Sequence, residues 1–187
     1  MMTFAPPMLA RPGEIVITPY SLQSIGVTML VGGGGGAASA NWIAANVVIF
    51  IPFRVIEAIT ITKLFWSNGA AVAGNLDAGI YDTSSNLLVS TGTTAQAGTT
   101  NAQVVDVTDT TIGRGVYYMA LVSDTSGATQ KINSVAPAAG LCQSYGLLEQ
   151  AGVTLPLATN ASPATFAKYT RAFIPYFGLQ AYRAVGP

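Results

Sequence analysis

Short runs of Val, Ile, Thr, Tyr and Phe recur along the chain, each soon interrupted by Gly, Asn, Asp, Ser or Pro. β-branched and aromatic residues pack well on pleated surfaces, and the interrupting residues are those that turn a chain, so the pattern predicts many short strands. Strands are expected near residues 14–18, 25–31, 46–54, 57–66, 75–82, 86–91, 102–107, 114–123 and 128–134, with further ones near 152–157 and 172–182. No segment sustains a helical period. The predicted class is all-β, an antiparallel two-sheet β-sandwich of jelly-roll-like type. Near-continuous apolar runs such as VVIFI (47–51) predict strands covered on both faces.

Alternation within the strands assigns faces. In residues 75–82, Leu76, Ala78 and Ile80 share one parity and point to a core, which leaves Asp77, Gly79 and Tyr81 on the other side and Asp77 outward. After Asp82 the sequence DTSSN reads as a hairpin loop, because Asp and Asn hydrogen-bond nearby backbone amides and tolerate tight dihedrals. Further back, Ile59, Ile61 and the aliphatic stem of Lys63 alternate against Thr60, Thr62 and Leu64. The stretch from Trp42 to Trp66 is apolar enough to suggest a membrane span. Pro52, Arg54 and Glu57 near its centre, together with this alternation, favour sheet instead, and no membrane insertion is expected.

Three regions depart from strand grammar. Residues 1–13 carry Pro6, Pro7 and Pro12 without a regular period and read as an extended N-terminal arm, with Phe4, Pro6, Pro7, Met8 and Leu9 as candidate partner-binding residues. The lead lacks the charged start and long apolar core of a secretory signal. Residues 32–40 form a Gly-rich connector, since no Lys-Ser or Lys-Thr comes after the glycines as a phosphate loop requires. From about 135 the chain is less regular. Residues 14–187 are therefore expected to form a single β-sandwich domain.

Composition then narrows the function. Of 187 residues, 50% are hydrophobic and 9% charged, where soluble domains carry about 25% charged residues. Eight basic residues balance eight acidic ones, so little repulsion opposes association and self-contact is expected. There is no histidine, which removes the commonest general base and metal ligand. Cys142 has no cationic neighbour in sequence to activate it and reads as a small apolar residue. Asp77, Asp82, Asp106, Asp109 and Asp124 sit at strand ends or in turns, and no convergent pair is expected for acid–base work or calcium. The sequence therefore predicts no enzyme, no cofactor and no metal. Lys168, Arg171 and Arg183 occur in a tail, from Gly152 on, that contains no acid, whereas residues 72–130 hold five aspartates and one arginine. That asymmetry suits registration between copies. Three scattered cations make no nucleic-acid footprint.

Asn75 to Gly127 adds a resemblance. A GIYD strand, a polar loop, an LLVSTG return, VVDVTDT and then GVYYMAL come one after another, and this order resembles β-sandwich modules of tailed-bacteriophage virion structural proteins. These include head decoration (cement) proteins and tail-fibre proteins. The resemblance implies a non-enzymatic virion component, most of all a capsid decoration protein on the head surface, made in the host cytoplasm. It implies as partners copies of itself, as a trimer, and the major capsid protein. The alternative it leaves open is a tail-fibre or appendage module binding host surface glycan, for which Trp66, Tyr117 and Tyr118 are the candidate stacking residues.

Overall fold

The computed structural model describes residues 14–17, 37–133, 143, 146–162, 166–171 and 173–184, and thirteen β-strands lie among them. One sheet has the order β1 (Glu14–Ile17), β13 (Phe177–Arg183), β4 (Ile59–Ser67), β8 (Ala102–Ile112). The larger sheet runs β12 (Ala167–Lys168), β11 (Leu148–Ala151), β3 (Val47–Val55), β9 (Gly115–Ser123), β5 (Asn75–Tyr81), β6 (Leu87–Ser90), and β7 (Thr94–Ala95) also pairs with β5. A separate ribbon pairs β10 (Thr129–Asn133) with β2 (Ala37–Asn41). All these pairings are antiparallel. Trp42 to Trp66 thus supplies two strands rather than a helix. No helix among the described residues is long and apolar enough to cross a membrane.

The two large sheets face each other across one core. Ile49, Ile51, Phe53 and Val55 of β3, Met119 and Leu121 of β9, and Leu76, Ala78 and Ile80 of β5 form one wall. Ile59, Ile61, Leu64 and Trp66 of β4 with Phe177, Leu179 and Ala181 of β13 form the other. Each such large aliphatic or aromatic side chain contributes about 1.5–3 kcal/mol by leaving water.

The period-two reading of β4 breaks inside the strand. Between Ile61 and Lys63 the register with β8 shifts, so that β4 advances two residues while β8 advances from Thr110 to Asp106. A bulge of this kind re-aims the side chains beyond it. There Leu64 and Trp66 are buried, and Lys63 turns outward to meet Asp106 at 2.6 Å. The expected inward Lys63 and outward Leu64 are thereby exchanged.

A second apolar cluster lies on the far side of the larger sheet. Val48, Phe50, Tyr81, Ala120 and Val122 are covered there by Val153, Leu157 and Ala161. These last residues belong to a strap, 152–162, held by hydrogen bonds from Val153 N to Asn46 O (2.9 Å), from Leu87 N to Thr159 O (2.7 Å) and from Ala161 N to Ser85 O (2.9 Å). Both faces of β3 and β5 are covered, as VVIFI predicts. Gly79 lets the strap approach: a Cβ there would stand 2.9 Å from both Leu157 Cδ1 and Leu87 Cδ1. The strap is irregular where a strand near 152–157 is expected, and the strand lies just before it, at Leu148–Ala151. β2 is unexpected, since AASAN has weak strand propensity and its order comes from pairing with β10. It occupies the end of the predicted Gly-rich connector. The expected strand at 25–31 and the arm 1–13 lie outside the described residues.

One loop residue carries local strain. Thr100 has φ 63°, a left-handed conformation that a β-branched residue rarely adopts. Its side chain is exposed and its backbone N–H donates to Gly69 O at 2.7 Å. Thr100→Gly keeps that bond and relieves the Cβ clash. The substitution is expected to raise stability by about 0.5–1 kcal/mol, read as a higher urea midpoint at unchanged slope.

Candidate interaction surface

The carboxylates are placed first by the turns and strands that carry them. At the end of β5, Asp82 Oδ1 accepts the backbone N–H of Ser84 (2.8 Å) and of Asn86 (2.9 Å), and Oδ2 accepts Asn86 Nδ2 (2.8 Å). Hydrogen bonds from the Asn86 side chain and backbone hold this carboxyl below the ordinary carboxylate value. DTSSN is a turn built on Asp82, as expected. Asp124 does similar work between strands: its two oxygens accept the Asn75 backbone N–H (2.8 Å) and Nδ2 (2.7 Å). Asp106 pairs with Lys63 on the outer face of the smaller sheet, and Asp109 is exposed in the bulged part of β8.

Asp77 is the departure. Expected outward, it is 0% exposed, because the strap covers the face that alternation assigns to solvent. Its Oδ2 accepts the backbone N–H of Leu157 at 2.8 Å, and its Oδ1 accepts the Thr91 hydroxyl at 3.0 Å. Burial raises its carboxyl above the ordinary value, against the lowering effect of those hydrogen bonds. Tyr81 on the same face donates its hydroxyl to Ala158 O at 2.7 Å. Burial first, and the nearby Asp77 second, raise the Tyr81 phenol. Asp77 and Tyr81 therefore pin the strap to the sheet. Beside them a cavity of about 220 Å³ is lined by Val48, Phe50, Tyr81 and Gln150 of the larger sheet and by Thr154 and Asn160 of the strap, smaller than the roughly 300 Å³ at which ligand pockets begin. Among the described residues no three Asp, Glu, Cys or His side chains gather as a metal would require.

The three aromatic residues with a possible sugar-stacking role are not brought together. Trp66 is 0% exposed in the core between the sheets. Tyr117 lies on the core side of β9, half-buried, 5.9 Å from the Phe53 ring, with its hydroxyl donating to Gly113 O at 3.0 Å. Tyr118 faces the other way, half-buried against the second cluster. The tail cations also separate. Lys168 is exposed on β12, while Arg171 Nε lies 3.1 Å from Glu149 Oε2 within the same chain. Arg183 is placed by its backbone pairing opposite Ile59. Phe4, Pro6, Pro7, Met8 and Leu9, and Cys142, lie outside the described residues.

Sequence reading missed a set of exposed apolar side chains: Ile56 (67% exposed), Val116 (47%), Val104 (44%) and Tyr182 (37%). Apolar residues in strands are ordinarily assigned to a core, and only the sheet pairing shows which parity is left outside. For Ile56 a signal existed. It falls between the end of β3 and the start of β4, in a connection where a polar residue is the usual choice.

The sequence matches no protein-family model and no curated protein. Among solved structures with some likeness are proteins of virus particles. The chain aligns to the VP2 subviral particle protein of infectious bursal disease virus with a TM-score of 0.37 at 11% identity, over 92% of this chain and 38% of that one. For a D431N mutant VP2 of the same virus, in derived T=1 particles, the TM-score is 0.35 at 10% identity, over 92% and 36%. For the Gt strain it is 0.34 at 12% identity, over 100% and 41%. The chain thus spans well under two thirds of the length of those proteins, and likeness at this level assigns no function.

Proposed function

We propose that this chain is a non-enzymatic structural component of a bacteriophage virion, a capsid decoration protein that holds head subunits together by contact. The observation that carries the reading is the commitment of four of the five acids within the resembling segment. Along Asn75 to Gly127, which supplies β5 through β9, Asp77, Asp82, Asp106 and Asp124 each bond to a partner in the same chain. That commitment favours a scaffold over a reacting site. Low charge, zero formal net charge and exposed apolar residues suit a protein that works by burying surface against copies of itself, as a trimer, and against the major capsid protein. The N-terminal arm is the part that clamps a neighbour, with Lys168 and Arg183 as further contact residues.

Co-sedimentation with purified phage heads tests the proposal. The full chain is expected to travel with heads and delay their disruption by heat. A chain lacking residues 1–13 should keep its strand signal in circular dichroism yet remain in the supernatant. Binding to host envelope polysaccharide without binding to heads would replace this reading with the tail-fibre one. Shortening of that polysaccharide, lost when Asp77 and Asp106 are replaced, would overturn the non-enzymatic claim.

A further inference from the structure

One edge of the smaller sheet is an open hydrogen-bonding strand. β8 ends the order β1-β13-β4-β8 and pairs only with β4 among the described residues. In an antiparallel pair, alternate residues turn their backbone N–H and C=O toward the neighbouring strand, and the rest turn theirs away. Two bonds fix the phase here. Asn68 N donates to Asn101 O at 2.9 Å, while Ser67 N donates to Tyr176 O at 2.8 Å, on the β13 side. Carried along the register, Trp66 bonds with Gln103 and Leu64 with Val105. Ala102, Val104 and Asp106 therefore point their backbone groups out of the sheet, and no described strand pairs with them there.

Exposed edges invite further strands, and natural sheets commonly shorten or cover them. β12 is two residues long, and the strap runs beside β6 through the bond from Leu87 N to Thr159 O at 2.7 Å. β8 is eleven residues long and contains neither Pro nor Lys. Its regular run ends at the bulge beyond Asp106, so Ala102 to Asp106 form the usable edge. On the outer face of that run Val104 is 44% exposed, beside its half-buried register partner Phe65.

We infer that this edge takes the same edge of a second copy, antiparallel about a twofold axis at Val104. The axis sets Val104 against its own counterpart and Ala102 against Asp106. Only that axis pairs all three outward residues within the run, and each such pair exchanges two backbone hydrogen bonds. The exposed valines then close on each other and join the two Phe65 rings into one apolar strip. Charge selects the same axis. Placed at Asp106, the axis would oppose two carboxylates; placed at Val105, it would set Asp106 against the exposed valine. With the axis at Val104, each Asp106 lies opposite an alanine and keeps Lys63, 2.6 Å away, as its counter-ion. Zero formal net charge adds no general repulsion. The joint is one strand pair wide, in the class below about 1,200 Å² that holds transient complexes, so it forms at high protein concentration. It is a contact of the isolated chain, separate from the trimer contact proposed above, and stands whether or not the chain is a virion part.

Amide exchange of the full chain in dilute and in concentrated solution tests it. Gln103 and Val105, bonded within the sheet, are expected to exchange slowly in both. Ala102, Val104 and Asp106 should exchange fast when dilute and slowly when concentrated. Val104→Lys, at an exposed position, should keep the strand signal in circular dichroism. It should weaken dimer formation in sedimentation by about tenfold or more, since it removes an apolar pair and sets like charges opposite each other. Val104→Cys in a Cys142→Ala background should cross-link under mild oxidation, because opposed residues of a bonded pair stand about 5.5 Å apart at Cα, within disulfide reach. Thr111→Cys, exposed on the same strand beyond the run, should not. A monomer at every concentration, with Ala102, Val104 and Asp106 never protected, would overturn the inference. Association that survives Val104→Lys and gives no cross-link through Val104→Cys would also overturn it, by assigning self-contact to another surface. Failure to bind heads while Val104→Cys cross-links would count against the virion proposal and leave this one intact.

Discussion

Trp66→Ala is expected to destabilise the protein by about 3–5 kcal/mol, the range for emptying a large aromatic site, and Trp66→Phe by less than half of that. The contrast arises from two properties of the side chain. Its ring is wholly buried between β4 and the opposite wall of the core, so alanine leaves a cavity that the surrounding strands cannot fully close. Its Nε1–H has no hydrogen-bond partner among the described residues, and a buried unpaired donor costs about 1–3 kcal/mol. Phenylalanine loses some contact area but removes that donor, and the two effects oppose each other. Trp42 differs, since its Nε1 donates to Val47 O at 3.1 Å; it remains as the fluorescent reporter in either variant. Urea unfolding monitored at Trp42 measures both costs. Equal losses for alanine and phenylalanine would mean that the indole N–H is bonded after all. A large loss also bears on glycan binding, because a ring that supports the core is not displayed to a sugar.

The second large effect is expected at Asp77. Asp77→Ala leaves the Leu157 N–H buried without an acceptor and frees the strap from its pin, at a cost of about 1–3 kcal/mol. Asp77→Asn keeps an acceptor for Leu157 and offers an N–H to Thr91 Oγ1, so it should stay near wild type. The pH response separates wild type from both substitutions, since neither alanine nor asparagine titrates. Burial raises the folded-state value of Asp77 above its ordinary 3.8, so the native state takes up this proton before the unfolded chain does. Its contribution to stability is therefore fully present below about pH 3.8 and is lost as pH rises through the raised folded value. The stability of wild type relative to Asp77→Asn should decline over that window, and the asparagine variant should lack this component. Denaturant midpoints measured from pH 3 to 8 check the sign. A difference that grows with pH would show that the hydrogen bonds from Leu157 and Thr91 outweigh desolvation.

The two residues show how far alternation reaches. Around Asp77, parity correctly separates Leu76, Ala78 and Ile80 from their neighbours. It then assigns the neighbours to water, because a strand pattern carries no information about a strap more than seventy residues later in sequence. At Lys63 the miss has another source: parity holds from Ile59 to Ile61 and again from Leu64 to Trp66, and the bulge between them has no composition that marks it. The interior role of Trp66 was equally hidden, since an aromatic at a strand end fits a core or a groove alike. The turn at Asp82 was legible because the hydrogen bonds its carboxylate accepts are local, reaching no further than Asn86, whereas the bond from Ala161 to Ser85 O was not.

Local chemistry was enough to specify an all-β chain, most of its strand positions, the DTSSN turn and a surface with few charges. Strand propensity and turn chemistry act over a handful of residues, so a short window contains their causes. Which faces are covered, where the register slips and which apolar side chains, such as Ile56 and Val116, stay exposed depended on strands distant in sequence coming together. Those outcomes are set by pairing and burial energies summed over the assembled sandwich, and no single segment carries them.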